Sequence, residues 1–191
     1  MTYIQTEPTP NPLAMKFLLE AELLPKGKNI NCANVQQASL SPLAANLFSI
    51  AGVSNVFLGN NFVTITKHEG IDWNDLKLGV ITTIMTFLGS GLPVLNGFSF
   101  APEATPIPLT DPLSLQIEAI LEEKIRPSVA QDGGDIIFRG FQEGIVYLEL
   151  QGSCSGCPSS TVTLKMGIEN MLKYYIPEVV AVEQVSDKIL L

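Results

Sequence analysis

Residues 152–160 read GSCSGCPSS, and they hold Cys154 and Cys157, two of the three cysteines in the 191-residue chain. The stretch is too polar and too rich in glycine to be core. Just before it, Val146, Leu148 and Leu150 alternate with Tyr147, Glu149 and Gln151. That period of two predicts a strand with one buried and one wet face. After it, Pro158 suits the first position of a helix, and Thr161, Leu164, Ile168, Leu172 and Tyr175 recur at helical spacing as its inner stripe. Pro177 ends that helix, and VVAVEQV, residues 179–185, supplies a last strand. The two thiols therefore fall at a strand-to-helix junction, where Gly152 and Gly156 allow a sharp turn.

Upstream, Asp111 and Pro112 read as N-cap and first residue of a helix whose buried face is Leu113, Ile117, Ile120, Leu121 and Ile125. Pro127 should kink or end it. QDGGD, residues 131–135, forces a turn, and IIFRGF and IVYLEL form a hairpin through Glu143 and Gly144. This gives a domain, residues 113–191, with the order helix, hairpin, CxxC loop, helix, strand. Residues 98–112 carry four prolines and no period, which marks a linker. Residues 1–97 form a second small domain. AMKFLLE is a strand, and SPLAANLFSI is a short helix capped by Ser41. VSNVFLGNNFVTITK is a hairpin turning at Gly59, Asn60 and Asn61, residues that tolerate positive φ, and Asp72 caps a helix from Trp73 to Leu88. The fold class is α+β, in two small domains.

Composition narrows the function. The net charge of −8 and the scattered basic residues oppose a nucleic-acid partner. Leu78 to Pro102 carries no charge, but Gly89, Ser90, Gly91 and Pro93 interrupt it, so a buried helix is expected there and not a membrane span. The first residues show neither a secretory signal nor an Arg-rich transit pattern. The expected compartment is therefore a bacterial cytoplasm, or the mitochondrial matrix for a processed organellar form. No glycine-rich phosphate loop is present, and a single histidine gives little support to a nucleophile pair. No catalytic residue is assigned, and the chain is not read as an enzyme. Asp132 and Asp135 are read as shaping their turn, because two carboxylates alone make a weak cation site.

Two thiols three residues apart suit a shared metal centre. A Cys157 N-cap would favour thiolate, and the Ser and Gly neighbours predict accessible sulfurs. A packed cysteine pair and a redox dithiol are the competing readings. The redox reading is weakened by the lack of a βαβ pattern around the first strand and of an aromatic residue before Cys154. A structural zinc or an iron–sulfur cluster wants four protein ligands. Cys32 lies in the other domain and His68 beside a turn, and both are read as ordinary residues. The pair is then half a site, which a two-fold partner would complete. Four sulfurs at such an interface suit a [4Fe–4S] cube.

The run GGDI…GIVYLELQGSCSGCPSSTVTLKMGIENMLKYYIPEVVAVEQV resembles the C-terminal domain of NifU as found in Nfu iron–sulfur cluster carriers. TEPTPNPLAMKF through GLPVL resembles the Nfu N-terminal domain, so the likeness covers nearly the whole chain. The resemblance implies that Cys154 and Cys157 ligate a [4Fe–4S] cluster bridging two subunits, with a homodimer forming when the cluster is loaded. It also implies an upstream scaffold as donor and apo iron–sulfur proteins as acceptors. The alternative function is a dithiol oxidoreductase using the same CxxC pair.

Overall fold

The computed structural model describes residues 3–97, 111–155 and 158–185, with side chains in the last stretch from residue 162 onward. Of the expected linker, only Asp111 and Pro112 are among these. The chain divides into two compact units, Met1–Phe100 and Ala101–Leu191.

In the first unit, strands β1 (Ile4–Pro8), β2 (Ala14–Leu19), β3 (Ile30–Cys32), β4 (Val53–Leu58) and β5 (Phe62–Lys67) form an antiparallel sheet in the order β1-β2-β5-β4-β3. Helices α1 (Val35–Ala38), α2 (Pro42–Phe48) and α3 (Trp73–Ser90) supply the rest of its core. The register sets Phe17 beside Val63 and Met15 beside Ile65, so one sheet face presents a continuous apolar surface. Leu43 and Leu47 of α2 and Leu76, Val80, Ile84 and Phe87 of α3 complete that core.

The helix starts follow the sequence. The Ser41 hydroxyl accepts the Ala44 N–H at 3.2 Å, and Asp72 accepts the Asn74 N–H at 2.7 Å. Helix α3 runs two residues past the expected end and stops at Gly91, whose φ of 67° is the left-handed conformation of a C-cap. Among the described residues no helix is long and apolar enough to cross a membrane. The β4–β5 turn corrects one expectation: neither Gly59, Asn60 nor Asn61 takes a positive φ. Gly59 is there for space, because a Cβ would run into the Phe62 ring.

The second unit places β6 (Gly134–Gln142) antiparallel to β7 (Ile145–Gly152), with β8 (Ala181–Gln184) parallel to β7. Helix α6 (Pro158–Tyr175) makes the crossover from β7 to β8. The core gathers Ile117, Leu121, Ile125, Val129, Ile136, Val146, Leu148, Ile168 and Leu172. Asp111 caps α4 (Pro112–Ile120) by accepting the Ser114 N–H at 3.2 Å. Pro127 does not end this segment. A π-helical turn, Leu121–Ile125, precedes it, and the chain continues as α5 (Arg126–Gln131). Proline has no N–H to donate and its ring crowds the carbonyl four residues back; widening the preceding turn accommodates both.

Two further expectations change. At the end of α6, Ile176, 2% exposed, fills the core while Tyr175 stays 48% exposed, with the Lys124 ammonium 5.7 Å from its ring centre. The Thr161 side chain lies outside the described residues. On the second face of β7, Glu149 is buried instead of wet, held by Arg139 and by the Gln151 amide at 2.8 Å.

Asp135 does more than shape a turn. Its carboxylate is buried and accepts two hydrogen bonds from Arg126, from Nε at 2.9 Å and from Nη2 at 2.6 Å. The pairing holds the Arg126 guanidinium well above its ordinary pKa. Removing the buried carboxylate leaves the half-buried guanidinium with Glu122 at its exposed side in place of its bidentate partner. Asp135→Ala should destabilise the second unit by about 3 kcal/mol, whereas Asp132→Ala, at an exposed C-cap, should change it by less than about 0.5 kcal/mol. Urea unfolding followed by circular dichroism measures both. The fluorescence of Trp73, the single tryptophan, reports the first unit and should not change.

Candidate functional site

The geometry around Cys154 follows from the pairing of β6 with β7. Gly134 stands opposite Gly152, the last residue of β7, and the chain turns at Gly152 with φ 65°. The Ser155 N–H closes that turn on the Gly152 carbonyl at 3.2 Å. Ser153 ties the turn back to the GGD segment: its N–H donates to the Gly133 carbonyl at 3.2 Å, and its hydroxyl to the Asp132 carbonyl at 2.6 Å. Two short links thus pin the residue immediately before Cys154.

Cys154 itself is only 6% exposed and belongs to the second unit's apolar core. This overturns the accessible sulfur expected from its polar neighbours. Burial pushes its thiol up to about 11, against a weaker lowering by the Ser153 hydroxyl 3.8 Å away. At neutral pH it is a thiol in this fold; the thiolate expected at the helix end was that of Cys157. Cys157 and Gly156 lie outside the described residues, and so does the expected N-cap at Cys157.

Gly134 carries a role that the sequence reading missed. Only Gly133 of the doublet needs a positive φ, 81°. At Gly134 the constraint is contact: a Cβ would stand 2.7 Å from Cys154 Sγ, 2.7 Å from the Gln151 carbonyl oxygen and 3.2 Å from the Cys154 nitrogen. Two of those neighbours are backbone atoms and cannot swing aside. The doublet was the available signal, but a turn explained it equally well.

The remaining sulfur and imidazole belong to the first unit. Cys32 ends β3 in the first unit's core, its thiol 3.6 Å from the Gln37 carbonyl and pushed up to about 11 by burial. His68 is exposed just beyond β5. Among the described residues no three His, Cys, Asp or Glu side chains converge to hold a metal ion.

The crossover places the pair in a βαβ unit that the sequence reading did not name. β7, α6 and β8 form one, because β8 returns parallel to β7, and the cysteine segment occupies its strand-to-helix junction. What opposes redox chemistry here is the burial of Cys154, since an attacking dithiol needs a lowered thiol pKa.

Two outcomes follow. In the metal-free chain at pH 8, Cys154 should react with iodoacetamide roughly a hundredfold more slowly than a free cysteine, read by peptide mass spectrometry. Gly134→Ala should cost the second unit about 1–3 kcal/mol in urea unfolding and speed that alkylation, because the sulfur must yield to the new methyl group.

A family model described as a NifU-like domain matches residues 117–183, and one described as scaffold protein Nfu/NifU N terminal matches residues 4–91. The chain is 48% identical over 186 residues to a Drosophila sechellia protein named NFU1 iron-sulfur cluster scaffold homolog, mitochondrial, covering 97% of this chain and 66% of that protein. A Drosophila willistoni protein of the same name is 46% identical over 186 residues, with 97% and 64% covered. The chain therefore spans about two thirds of the length of these curated relatives. Among solved structures, a NifU-like protein from Saccharomyces cerevisiae aligns at 31% identity and a TM-score of 0.46, covering 51% of this chain and 87% of that one. With one family model matching most of each unit, and relatives alike over nearly its whole length, the chain belongs to the Nfu/NifU family.

Proposed function

We propose that the protein is a non-enzymatic carrier that holds a [4Fe–4S] cluster between two protomers and passes it to apo-proteins. Cys154 and Cys157 of each protomer supply the four thiolates. The observation that carries this reading is the position of the CxxC pair, between the end of β7 and the start of α6, in a chain of the Nfu/NifU family whose third cysteine, Cys32, belongs to the other unit. The relatives' names, iron-sulfur cluster scaffold homologues, support the cargo. Their designation as mitochondrial supports the organellar side of the two compartments considered.

The burial of Cys154 suits a cargo that must leave. Ligation takes the sulfur out of its seat against Gly134 and removes its proton, so loading works against packing that the cluster-free fold enjoys. Release restores that packing. In transfer, an acceptor thiolate forms a bond to one iron as the bond from that iron to a carrier cysteine breaks. The freed carrier thiolate takes up the proton that the acceptor thiol gave up. Four such exchanges move the cluster without net oxidation or reduction. The donor is an upstream scaffold, and the first unit serves contacts with partners.

Anaerobic reconstitution of the full chain with iron and sulfide tests the assignment. Cys154→Ser and Cys157→Ser should each lose most of the bound iron and the visible absorption, whereas Cys32→Ser should keep both. Full loading of either CxxC variant contradicts the assignment. Disulfide reductase turnover by the colourless chain would instead favour the dithiol alternative.

A further inference from the structure

Helix α6 has two faces of different character. Ile168 and Leu172 enter the core, followed by Ile176 just past its end. The opposite face exposes Thr163, Met166, Gly167, Asn170, Met171 and Tyr174, with Met166 60% and Tyr174 81% exposed. None of these is charged. The helix's three charges, Lys165, Glu169 and Lys173, are spaced four apart and follow one edge, where Glu169 accepts from Lys173 and from the Val182 N–H at 3.1 Å. A solvated helix face ordinarily carries the charges instead.

Gly167 stands in the middle of this face. Glycine weakens a helix interior, and a Cβ here would meet nothing within 4 Å. Packing within the chain therefore gives no reason for it. What glycine offers at such a place is close approach by another backbone.

We propose that this face pairs with the same face of a second copy, the two α6 helices running parallel about a two-fold axis and crossing at Gly167. The inference rests on the cluster-bridging reading, which requires a second copy at the N-terminal end of this helix. Direction follows from distance. Gly167 lies nine residues beyond Pro158, about 14 Å of helix. An antiparallel crossing there would hold the two N-terminal ends about 27 Å apart, too far for one cluster. A parallel crossing leaves them near one interhelical distance, roughly 8–10 Å. In a parallel pair each residue of the seam meets its own counterpart, so Asn170, one turn beyond Gly167 on the same face, faces Asn170 of the other copy.

That self-facing arrangement gives the test. Full-length Asn170→Glu and Asn170→Lys proteins are loaded anaerobically, separately and as an equal mixture, and followed by sedimentation and iron assay. Circular dichroism should show unchanged folding, because the side chain is exposed. Each variant alone should dimerise at least about tenfold more weakly than the unmodified chain, since like charges meet. The mixture, where opposite charges meet, should recover dimer and iron together. Unchanged dimerisation of the single variants overturns the inference, as does a mixture no better than its components. Variants that load and dimerise normally but deliver poorly to an acceptor apo-protein assign the face to acceptors and overturn it too. An unmodified chain that takes up no iron refutes the cluster reading itself, and the inference with it; the iron assay distinguishes that failure from the others.

Discussion

The contact between the Cys154 sulfur and the bare backbone of Gly134 governs the second unit's chemistry. It exists because β6 and β7 pair in the one register that sets Gly134 against Gly152. It persists because Ser153 is bonded to the Gly133 and Asp132 carbonyls. A residue with any side chain at 134 would displace the turn that carries the thiol. The buried Arg126–Asp135 pair, one residue further along β6, ties the same strand to the helical segment packed behind it. The described part of the site is thus fixed by backbone pairing and by one ion pair.

This construction separates two demands that oppose each other. A cysteine in an apolar seat is protected and protonated, and so is a poor nucleophile. A cysteine ligating iron must be deprotonated and turned toward the metal. A protein that stores a cluster for good would be expected to resolve the conflict in favour of the metal. A carrier gains from leaving it close to balance, because the packing recovered on release offsets part of the iron–thiolate bond energy lost. The same reasoning explains how a CxxC pair can stand at a βαβ junction without acting as a dithiol catalyst.

Much of this was legible in the sequence wherever local chemistry decides the outcome. Ser41, Asp72 and Asp111 cap the helices they announce, since capping depends on a few neighbouring residues. The alternation of Val146, Leu148 and Leu150 fixed the buried face of β7 for a similar reason. What escaped depended on partners distant in sequence. Glu149 reads as wet until Arg139 is folded against it. Tyr175 and Ile176 both fit the helical period closely enough, and only the end of α6 decides between them. Gly134 reads as half of a turn because its neighbour's thiol is twenty residues away. The accessibility of Cys154 was misjudged on the same ground: serine and glycine neighbours describe the loop, whereas its burial is set by the core beneath it.

The central claim is that one protomer supplies half of the coordination its cargo needs. Native mass spectrometry of the anaerobically loaded full chain tests this most directly. The account predicts a dimer whose excess mass is a single four-iron, four-sulfide cluster, with cluster-loaded monomer absent at any protein concentration. A monomer carrying a complete cluster would contradict it.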